Sequence, residues 1–381
     1  MIVQGNFNKA TIMTEDAELY AQEQLKMICN QECIKYRNYN IVAMPDIHPG
    51  KIGPVGLTMM TKHDSINEVI MPGLIGPDIG CGVAVFEVNC KCKDLDFNKL
   101  DKVIREHIPY GSSHYDAKKS CQIDNELFAR FWYMGDGEYT LKLIKENMGT
   151  LGGGNHFIEV DKDSSNNIYL CIHTGSRNLG YKTYDKFMRE ARCPEHIPYE
   201  LRYIKDDQVG LYYHAVQACM AFARMNRMTI AKTIAHRMKW DCNPIIDSFH
   251  NYISVENING ESLFILRKGA CSALAGESVV IPINMRDGII IGKGKGNPNW
   301  NYSAPHGSGR IMNRIDVVSN HTVSEFKKTM KGIHSTCINA GTLDEAPFAY
   351  RELSTILPNI YPTVEVIKII KPIYNFKGGN E

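Results

Sequence analysis

The chain has 381 residues, 44% of them hydrophobic, which is enough to bury a large core. Its 43 basic and 42 acidic residues nearly cancel, leaving a net charge of +1. This balance excludes the strong overall positive field that supplies non-specific affinity for nucleic acids, so a polyanionic partner must be held by a local site.

The sequence contains no predicted targeting or membrane segment. The first twenty residues, MIVQGNFNKATIMTEDAELY, have no apolar stretch of signal-peptide length. No other stretch approaches the roughly 18 to 20 apolar residues that span a bilayer. The twelve cysteines are scattered and lie mostly within apolar runs, which is typical of a reducing compartment. We therefore expect a cytoplasmic protein without membrane contact.

Two stretches predict helices. The first, TEDAELYAQEQLKMIC (14–29), begins with a capping threonine and an acidic first turn. Four apolar residues share one of its faces: Ala17, Ala21, Leu25 and Ile28. The second is LYYHAVQACMAFARMNRMTIAKTIAHRMKW (211–240), with Tyr213, Val216, Met220 and Ala223 in helical register. We expect this long helix to pack centrally.

Short β-branched runs bounded by Gly, Pro, Asn or Asp predict buried strands. They are NIVAM (40–44), GVAVFEV (82–88), NIYLCIH (167–173), VVIPI (279–283), GIIIG (288–292) and VEVIKII (364–370). The strands and helices do not alternate regularly, and no linker divides the chain. The expected fold class is therefore α+β, a single large domain (1–381) of several mixed or antiparallel sheets with flanking helices.

Five glycine-containing stretches carry side chains that bind metals or phosphates. They are PGLIGPDIGCGV (72–83), GGGNHFIE (152–159), CIHTGSRNLG (171–180), DSFHNYI (247–253) and SAPHGSGR (303–310). In the first, Asp78 and Cys81 lie three apart on a turn whose glycines permit positive φ. His156, His173 and His250 each end an apolar run. Two divalent ions could share these five ligands, and Cys81 is the candidate bridge.

Simpler interpretations of these residues exist. A lone histidine at a strand end is more often a hydrogen-bonded core residue than a ligand. The pairs Cys29 and Cys33, or Cys90 and Cys92, could be considered as zinc half-sites, but no second pair with matching spacing follows. We therefore interpret those cysteines as ordinary thiols.

The HGSGR stretch differs from the others because His306 precedes two glycines and Arg310. The glycines give access to backbone N–H groups, and the guanidinium offers a bidentate fork for phosphate. A histidine can form a phosphoramidate with a nucleotide. Neither the GxxxxGK[ST] pattern nor Lys-x-Asp-Gly occurs in the sequence, which argues against P-loop and lysyl-nucleotide chemistry. His306 is therefore predicted to be a covalent nucleotide carrier.

Six motifs occur in an order that resembles one known family. They are PDIHPG (45–50), PDIGCGV (77–83), GTLGGGNHFIE (149–159), HTGSR (173–177), HGSGR (306–310) and DEAPFAYR (344–351). Together they resemble the RtcB-type RNA ligases, which join RNA ends using GTP and manganese. The resemblance spans nearly the whole chain and is far more specific than any single motif.

The resemblance implies a role for each matching residue. Two Mn²⁺ ions would be held by Asp78, Cys81, His156, His173 and His250, with Cys81 shared, and His306 would be guanylylated by GTP. The implied nucleotide contacts are Asn155, His156, Phe157, Ile158, Glu159, His250, Asn251, Pro282, Ile283, Asn284, Met285, His306, Gly307, Ser308, Gly309 and Lys377. The family commonly has HGAGR and PGSM where this chain has Ser308 and PINM.

The implied reaction joins a 3′-phosphate or 2′,3′-cyclic phosphate RNA end to a 5′-hydroxyl end through a histidine–GMP intermediate, in RNA repair or tRNA splicing. Arg177 and Arg310 would hold RNA phosphates, and the glycines of GTLGGGNH would let the main chain approach metals and nucleotide. Two alternatives stay open at this point. One is a dinuclear metal phosphoesterase without a nucleotide carrier, and the other is a non-catalytic RNA-binding relative.

Overall fold

The computed structural model describes residues 1–35, 38–63, 68–90, 95–118, 123–194 and 197–379. The strands are β1 (Ile2–Gln4), β2 (Lys9–Ile12), β3 (Asn40–His48), β4 (Val55–Lys62), β5 (Val69–Ile70), β6 (Gly82–Val88), β7 (Phe157–Lys162), β8 (Ile168–Thr174), β9 (Ile204–Lys205), β10 (Cys242–Phe249), β11 (Asn251–Ile258), β12 (Glu261–Lys268), β13 (Ala270–Ser272), β14 (Ser278–Asn284), β15 (Gly288–Gly294), β16 (Ser303–Pro305) and β17 (Val364–Lys377). The α-helices are α1 (Leu19–Cys29), α2 (Phe97–His107), α3 (Asn125–Ala129), α4 (Gly137–Asn147), α5 (Arg177–Glu190), α6 (Asp207–Met238), α7 (Arg314–Asn320), α8 (Val323–Thr329) and α9 (Leu353–Ile360).

Two large sheets form the framework of the fold. One has six strands in the order β1-β2-β3-β4-β12-β11, and the other has seven in the order β10-β6-β8-β7-β17-β15-β14. Among the strand pairs of the described residues, β2 and β3 run parallel and the other pairs run antiparallel. The predicted α+β class is confirmed, and each of the six predicted strand segments lies mostly or wholly within a strand. The single domain over 1–381 stays a prediction.

The first helix begins later than predicted. Helix α1 starts at Leu19, and its N-cap residue Glu18 makes no side-chain capping bond. The Thr14 hydroxyl instead accepts a hydrogen bond from the Asp16 backbone amide at 3.2 Å, which closes a local turn before the helix. The predicted start at Thr14 was therefore wrong. The predicted inner face is confirmed for Ala21, Leu25 and Ile28, which are all buried.

Helix α6 is the long central helix that the sequence predicted. It runs from Asp207 to Met238 and packs against strands of both large sheets, namely β6, β8 and β10 in one and β11 in the other. Its buried residues include Val216 and Ala223. Two buried polar residues, Asn226 and Arg227, interrupt the otherwise apolar contact surface. Their partners explain why polar groups are tolerated there.

Asn226 and Arg227 bind the backbone of three separate loops. Asn226 Oδ1 accepts from the amides of Gly149 and Thr150 at 2.7 and 3.0 Å. The Arg227 guanidinium donates to the Thr174 carbonyl at 2.7 Å and to the Gly80 carbonyl at 3.2 Å. The loops that carry Cys81, His156 and His173 are thus fixed to adjacent positions on one helix.

A search of the described helices for a membrane span gives a negative result, because none is both long and apolar enough to cross a bilayer. Helix α6 has the necessary length, but arginine, lysine and histidine residues recur along it.

Arg227 also forms an ion pair that provides a stability test. Two arginines contact Asp247, Arg227 at 2.7 Å and Arg224 at 2.9 Å, and their side chains are 0% and 61% exposed. Arg227→Met should lower the free energy of unfolding by about 3 kcal/mol because it leaves buried acceptors without a donor. Arg224→Met should cost less than about 1 kcal/mol. Urea denaturation of both variants checks this, and equal losses would contradict it.

Candidate active site

The five predicted metal ligands come from neighbouring strand ends. Cys81 precedes β6, His156 precedes β7, His173 lies near the end of β8, and His250 follows β10. These four strands are adjacent in the order β10-β6-β8-β7. Adjacent antiparallel strands run in opposite directions, so the start of one strand lies beside the end of its neighbour. The starts of β6 and β7 and the ends of β8 and β10 therefore meet at the same end of the seven-stranded sheet. The structure therefore brings together residues that lie up to 172 positions apart, from Asp78 to His250.

The ligand atoms of this set form a continuous cluster. Cys81 Sγ lies 3.2 Å from His173 Nε2 and 3.4 Å from His156 Nε2. His156 Nε2 lies 3.3 Å from Asp78 Oδ2, and His173 Nε2 lies 3.3 Å from His250 Nε2. The donor atoms of Cys81, His156 and His173 all fall within 4.8 Å of one another. A thiol, imidazoles and a carboxylate at this spacing fit a divalent metal ion.

The histidines of the cluster are oriented for ligation. His156 Nδ1 lies 3.0 Å from the Leu151 carbonyl, and His173 Nδ1 lies 3.2 Å from the Asn155 carbonyl. A carbonyl only accepts, so each Nδ1 carries the proton and each Nε2 lone pair points into the cluster. Burial lowers the pKa of His173 and of His250 well below its usual range, which keeps both imidazoles neutral. This state is the one that binds metals.

His306 faces the same cavity as the metal cluster. The cavity has a volume of about 280 Å³, and its walls include Asp78, Cys81, His250 and His306. The ring centroids of His306 and His250 are 5.0 Å apart. His306 Nδ1 lies 2.7 Å from Oδ2 of the fully buried Asp46. A hydrogen bond from Nδ1 to this carboxylate leaves Nε2 with a free lone pair, which is the state of a nucleophile.

Most residues predicted to contact a nucleotide line this cavity. They are Asn155, Phe157, Glu159, His250, Asn251, Pro282, Ile283, Asn284, Met285, His306, Gly307, Ser308, Gly309 and Lys377. His156 belongs to the metal cluster beside it. The Ile158 side chain instead packs in an apolar core with Leu170 and Ile172, because alternate residues of β7 face opposite sides of the sheet. The nucleotide roles of these residues stay predictions.

The two segments that depart from the common family motifs contact each other. The Ser308 hydroxyl donates a hydrogen bond to the Ile283 carbonyl at 2.8 Å, which joins HGSG to PINM. Pro282 is paired with Ile289 across β14 and β15, and Ile289 is a further apolar residue of the cavity wall. The departures at 308 and 283 are therefore parts of one local structure.

Gly152 of GTLGGGNH makes room for an arginine. Gly152 has φ +81°, and a Cβ atom there would collide with the guanidinium of Arg177. That guanidinium approaches His156 Nδ1 to 3.3 Å. Gly154 also has a positive φ, of +70°, but a Cβ atom there would meet nothing within 4 Å. The close approach at 152 thus places the Arg177 guanidinium beside His156, and its role in holding RNA phosphate stays a prediction.

Arg310 is engaged by protein groups in this structure. Its guanidinium donates to the Asp344 carbonyl at 2.7 Å, to the Tyr350 hydroxyl at 3.1 Å and to Glu345 at 3.4 Å. Burial alone would raise the pKa of Glu345, but Lys377, Arg314 and Arg310 outweigh burial and lower it to about 2. Glu345 is therefore ionised, and it interacts with these three cations of the cavity wall.

Several residues of the cavity were not predicted from the sequence. They are Asp46, His48, Lys268, Arg314, Glu345, Tyr350 and Asn375. Four of them lie in PDIHPG and DEAPFAYR, which were recognised as motifs without a role for these side chains. Lys268, Arg314 and Asn375 had no sequence signal, because only the folded contacts place them in the wall. The Lys268 ammonium donates to the Ile75 carbonyl at 2.6 Å.

The cysteine pairs considered as zinc half-sites show no zinc-type cluster in the part of the chain that is described. Cys29 is fully buried in an apolar core, and Cys33 packs against the same core. Cys92 lies outside the described residues. Cys81 is the cysteine that clusters with histidines among those residues.

Comparison with known proteins gives the family. The family model described as "tRNA-splicing ligase RtcB" matches residues 27–137 and 136–378. This chain belongs to the RtcB family. It is 30% identical over 377 aligned residues to the RNA-splicing ligase RtcB of Escherichia coli K12, covering 89% of this chain and 90% of that protein. It is 28% identical to the tRNA-splicing ligase RtcB of Aeropyrum pernix, covering 91% and 90%.

RtcB membership confirms the resemblance drawn from the six ordered motifs. A relative in Entamoeba histolytica, RNA-splicing ligase RtcB homolog 1, is 23% identical and is covered over 90% of its length. The match therefore extends over nearly full-length relatives from bacteria, archaea and eukaryotes. It favours the ligase over the metal phosphoesterase and over the non-catalytic RNA-binding protein.

The glycine geometry generates a paired test. Gly152→Ala and Gly154→Ala should both suffer the strain of a side chain at positive φ, about 1 kcal/mol each. Only Gly152→Ala should also displace Arg177, so RNA ligation should fall at least tenfold further in this variant. Ligation rates at equal folded fraction measure the difference. Equal rates in the two variants would mean that the position of Arg177 does not matter.

A second test concerns the metal. Cys81→Ala should reduce the bound divalent metal after dialysis because the thiol is the central donor of the cluster. The control is Cys219→Ala, which removes a buried thiol that contacts Thr183 and Tyr133 instead. Metal content per chain, measured by elemental analysis, should fall by more than half in the first variant and stay at the wild-type value in the second. Full retention in Cys81→Ala would exclude this thiol as a ligand.

Proposed function

We propose that this RtcB-family chain is an RNA ligase that joins 3′-phosphate or 2′,3′-cyclic phosphate ends to 5′-hydroxyl ends through guanylylated His306. The observation that carries the proposal is the position of His306, which shares one cavity with the cluster of Asp78, Cys81 and three histidines. A nucleophilic imidazole beside a cation site is the arrangement that nucleotidyl transfer needs.

In the first step, His306 Nε2 attacks the α-phosphorus of GTP. The P–N bond forms as the bond from the α-phosphorus to the bridging oxygen breaks, and pyrophosphate leaves. Asp46 accepts the Nδ1 hydrogen throughout, which holds the ring in place and stabilises the positive charge that develops on it. Two Mn²⁺ ions held by Asp78, Cys81, His156, His173 and His250 would neutralise phosphate charge when bound.

In the later steps, GMP passes from the protein to RNA. An oxygen of the RNA 3′-phosphate attacks the phosphorus of the histidine–GMP, and the electron pair of the P–N bond returns to Nε2. The 5′-hydroxyl oxygen then attacks the RNA 3′-phosphate, GMP departs, and the new phosphodiester closes the strand. A 2′,3′-cyclic end first takes up water to give the 3′-phosphate. Lys268 in the cavity wall and Arg177 beside His156 would supply positive charge for these phosphates.

The cellular role we propose is RNA repair or tRNA splicing in the cytoplasm. The names of the relatives, RNA-splicing ligase and tRNA-splicing ligase, support the splicing role. The cysteines of the described residues are free thiols, as expected in a reducing compartment.

The proposal is tested by the covalent adduct. Incubation with GTP labelled at the α-phosphate and Mn²⁺ should give an acid-labile protein–GMP adduct, which maps to His306 by mass spectrometry. His306→Ala should reduce the adduct at least a hundredfold, and His114→Ala, which changes an exposed histidine, should leave it at the wild-type level. A normal adduct in His306→Ala, or RNA joining that needs no GTP, would refute the proposal.

A further inference from the structure

The cavity has two chemically different ends. Around the metal cluster it presents His306, Lys268 and the ligands, which suit phosphates. Farther along β7 and β17 it presents the Glu159 carboxylate and the Asn375 amide. A phosphate would be repelled by the carboxylate. The group that enters this second end must therefore be neutral and must donate hydrogen bonds.

Asn375 has an acceptor that no described residue uses. Its side chain is 1% exposed and lines the cavity, directly opposite Glu159 in the β7–β17 pairing. Its Nδ2 donates to Glu159 Oε2, and its Oδ1 is buried without a hydrogen-bond partner in the described part of the chain. A carboxylate only accepts, which fixes the amide with Nδ2 toward Glu159. An orphaned buried acceptor is costly unless a ligand satisfies it.

A second carboxyl group supports Glu159 from behind. Asp161 lies two residues along the same face of β7, is 0% exposed and is hydrogen-bonded to Glu159. It faces Pro372 on β17, which has no N–H to offer, and it receives one weak bond from Cys171 Sγ at 3.4 Å. Burial, and then the charge of Glu159, raises the pKa of Asp161 well above its usual range. Burial also raises the pKa of Glu159, but hydrogen bonds from Asp161 and Asn375 and the charge of Lys377 oppose that rise, so Glu159 is the acceptor of the pair.

The spacing matches a nucleoside. Phe157 is paired with the metal-cluster residue His173, and Glu159 lies two strand residues beyond it, about 7 Å away. A ribose separates phosphate and base by a comparable length. With phosphate at the metal cluster, the base would reach Glu159 and Asn375.

We propose that Asn375 is a specificity-determining residue that accepts a hydrogen bond from the 2-amino group of guanine, while Glu159 accepts from N1–H. Guanine carries these two donors side by side on one edge. Adenine presents a lone pair at N1, which the carboxylate repels. This inference rests on the proposed function, because it concerns the nucleotide that His306 takes up.

The test compares nucleotides that differ by the 2-amino group alone. Adduct formation should be faster with GTP than with inosine triphosphate in the wild-type chain. Asn375→Leu keeps the side-chain volume but removes both the acceptor and the donor to Glu159. Loss of the acceptor should reduce the ratio of the two kcat/KM values roughly tenfold, the worth of one hydrogen bond. The loss should fall on GTP, with inosine triphosphate little changed.

A matched variant separates direct contact from an effect through Glu159. Asp161→Leu also disturbs Glu159, but Asp161 itself does not line the cavity. It should therefore slow GTP and inosine triphosphate in parallel and leave their ratio near the wild-type value. A parallel loss in Asn375→Leu would overturn the inference and make Asn375 a support for Glu159.

Calorimetry of GMP and inosine monophosphate binding to the Mn²⁺-loaded chain supplies a readout that needs no adduct. Tighter binding of GMP by the wild-type chain, weakened in Asn375→Leu, supports the inference even where the histidine adduct fails to form. Equal affinity of the wild-type chain for both nucleotides would refute it, whether or not His306 is guanylylated. Tighter binding of GMP than of inosine monophosphate, with no adduct on His306, would refute the proposed function and leave the inference about Asn375 intact.

Discussion

The active-site geometry depends on two buried polar side chains of one helix. Asn226 and Arg227 on α6 hold the backbones at Gly149, Thr150, Thr174 and Gly80 by hydrogen bonds of 2.7 to 3.2 Å. Each bond is worth about 1 kcal/mol, but an unsatisfied partner would cost more, so the loops have one favourable position. The backbone next to the metal ligands is thereby tied to one helix, and catalysis by positioning requires such fixed placement.

This constraint explains which parts of the site the sequence could predict. Histidines at strand ends and a Cys–Asp pair on a glycine turn have recognisable local patterns, and the five candidate ligands do meet. Their meeting depends on the strand order β10-β6-β8-β7, which joins segments remote in sequence. No local pattern specifies that order. The motif resemblance implied that the five ligands share one site, but it did not give the strand order.

Other residues escaped prediction because their function comes from a tertiary contact. Asp46 lies inside a buried strand and resembles a core residue until His306 approaches it to 2.7 Å. Asn375 lies in the continuously buried end of β17, and its unpaired oxygen is evident only when β7 is paired beside it. The start of α1 was misplaced for a related reason. Thr14 has a side chain that can cap a helix, but its hydroxyl closes a turn instead. Threonine favours both arrangements, because in each its side chain bonds to a nearby backbone group.

The charge distribution of the cavity reconciles a nearly neutral chain with polyanionic substrates. Lys377, Arg310 and Arg314 all contact Glu345, and Arg314 also contacts Asp344, so two carboxylates offset part of the charge of these three cations. Lys268 instead binds the Ile75 carbonyl, and no described carboxylate lies within 4 Å of its ammonium. In the proposed function, its charge and that of bound metal ions would attract phosphate at one end of the cavity. Glu159 and Asn375 would hold the base at the other end. The cavity would then orient a nucleotide by the sign of its charges, without a positive field over the whole surface.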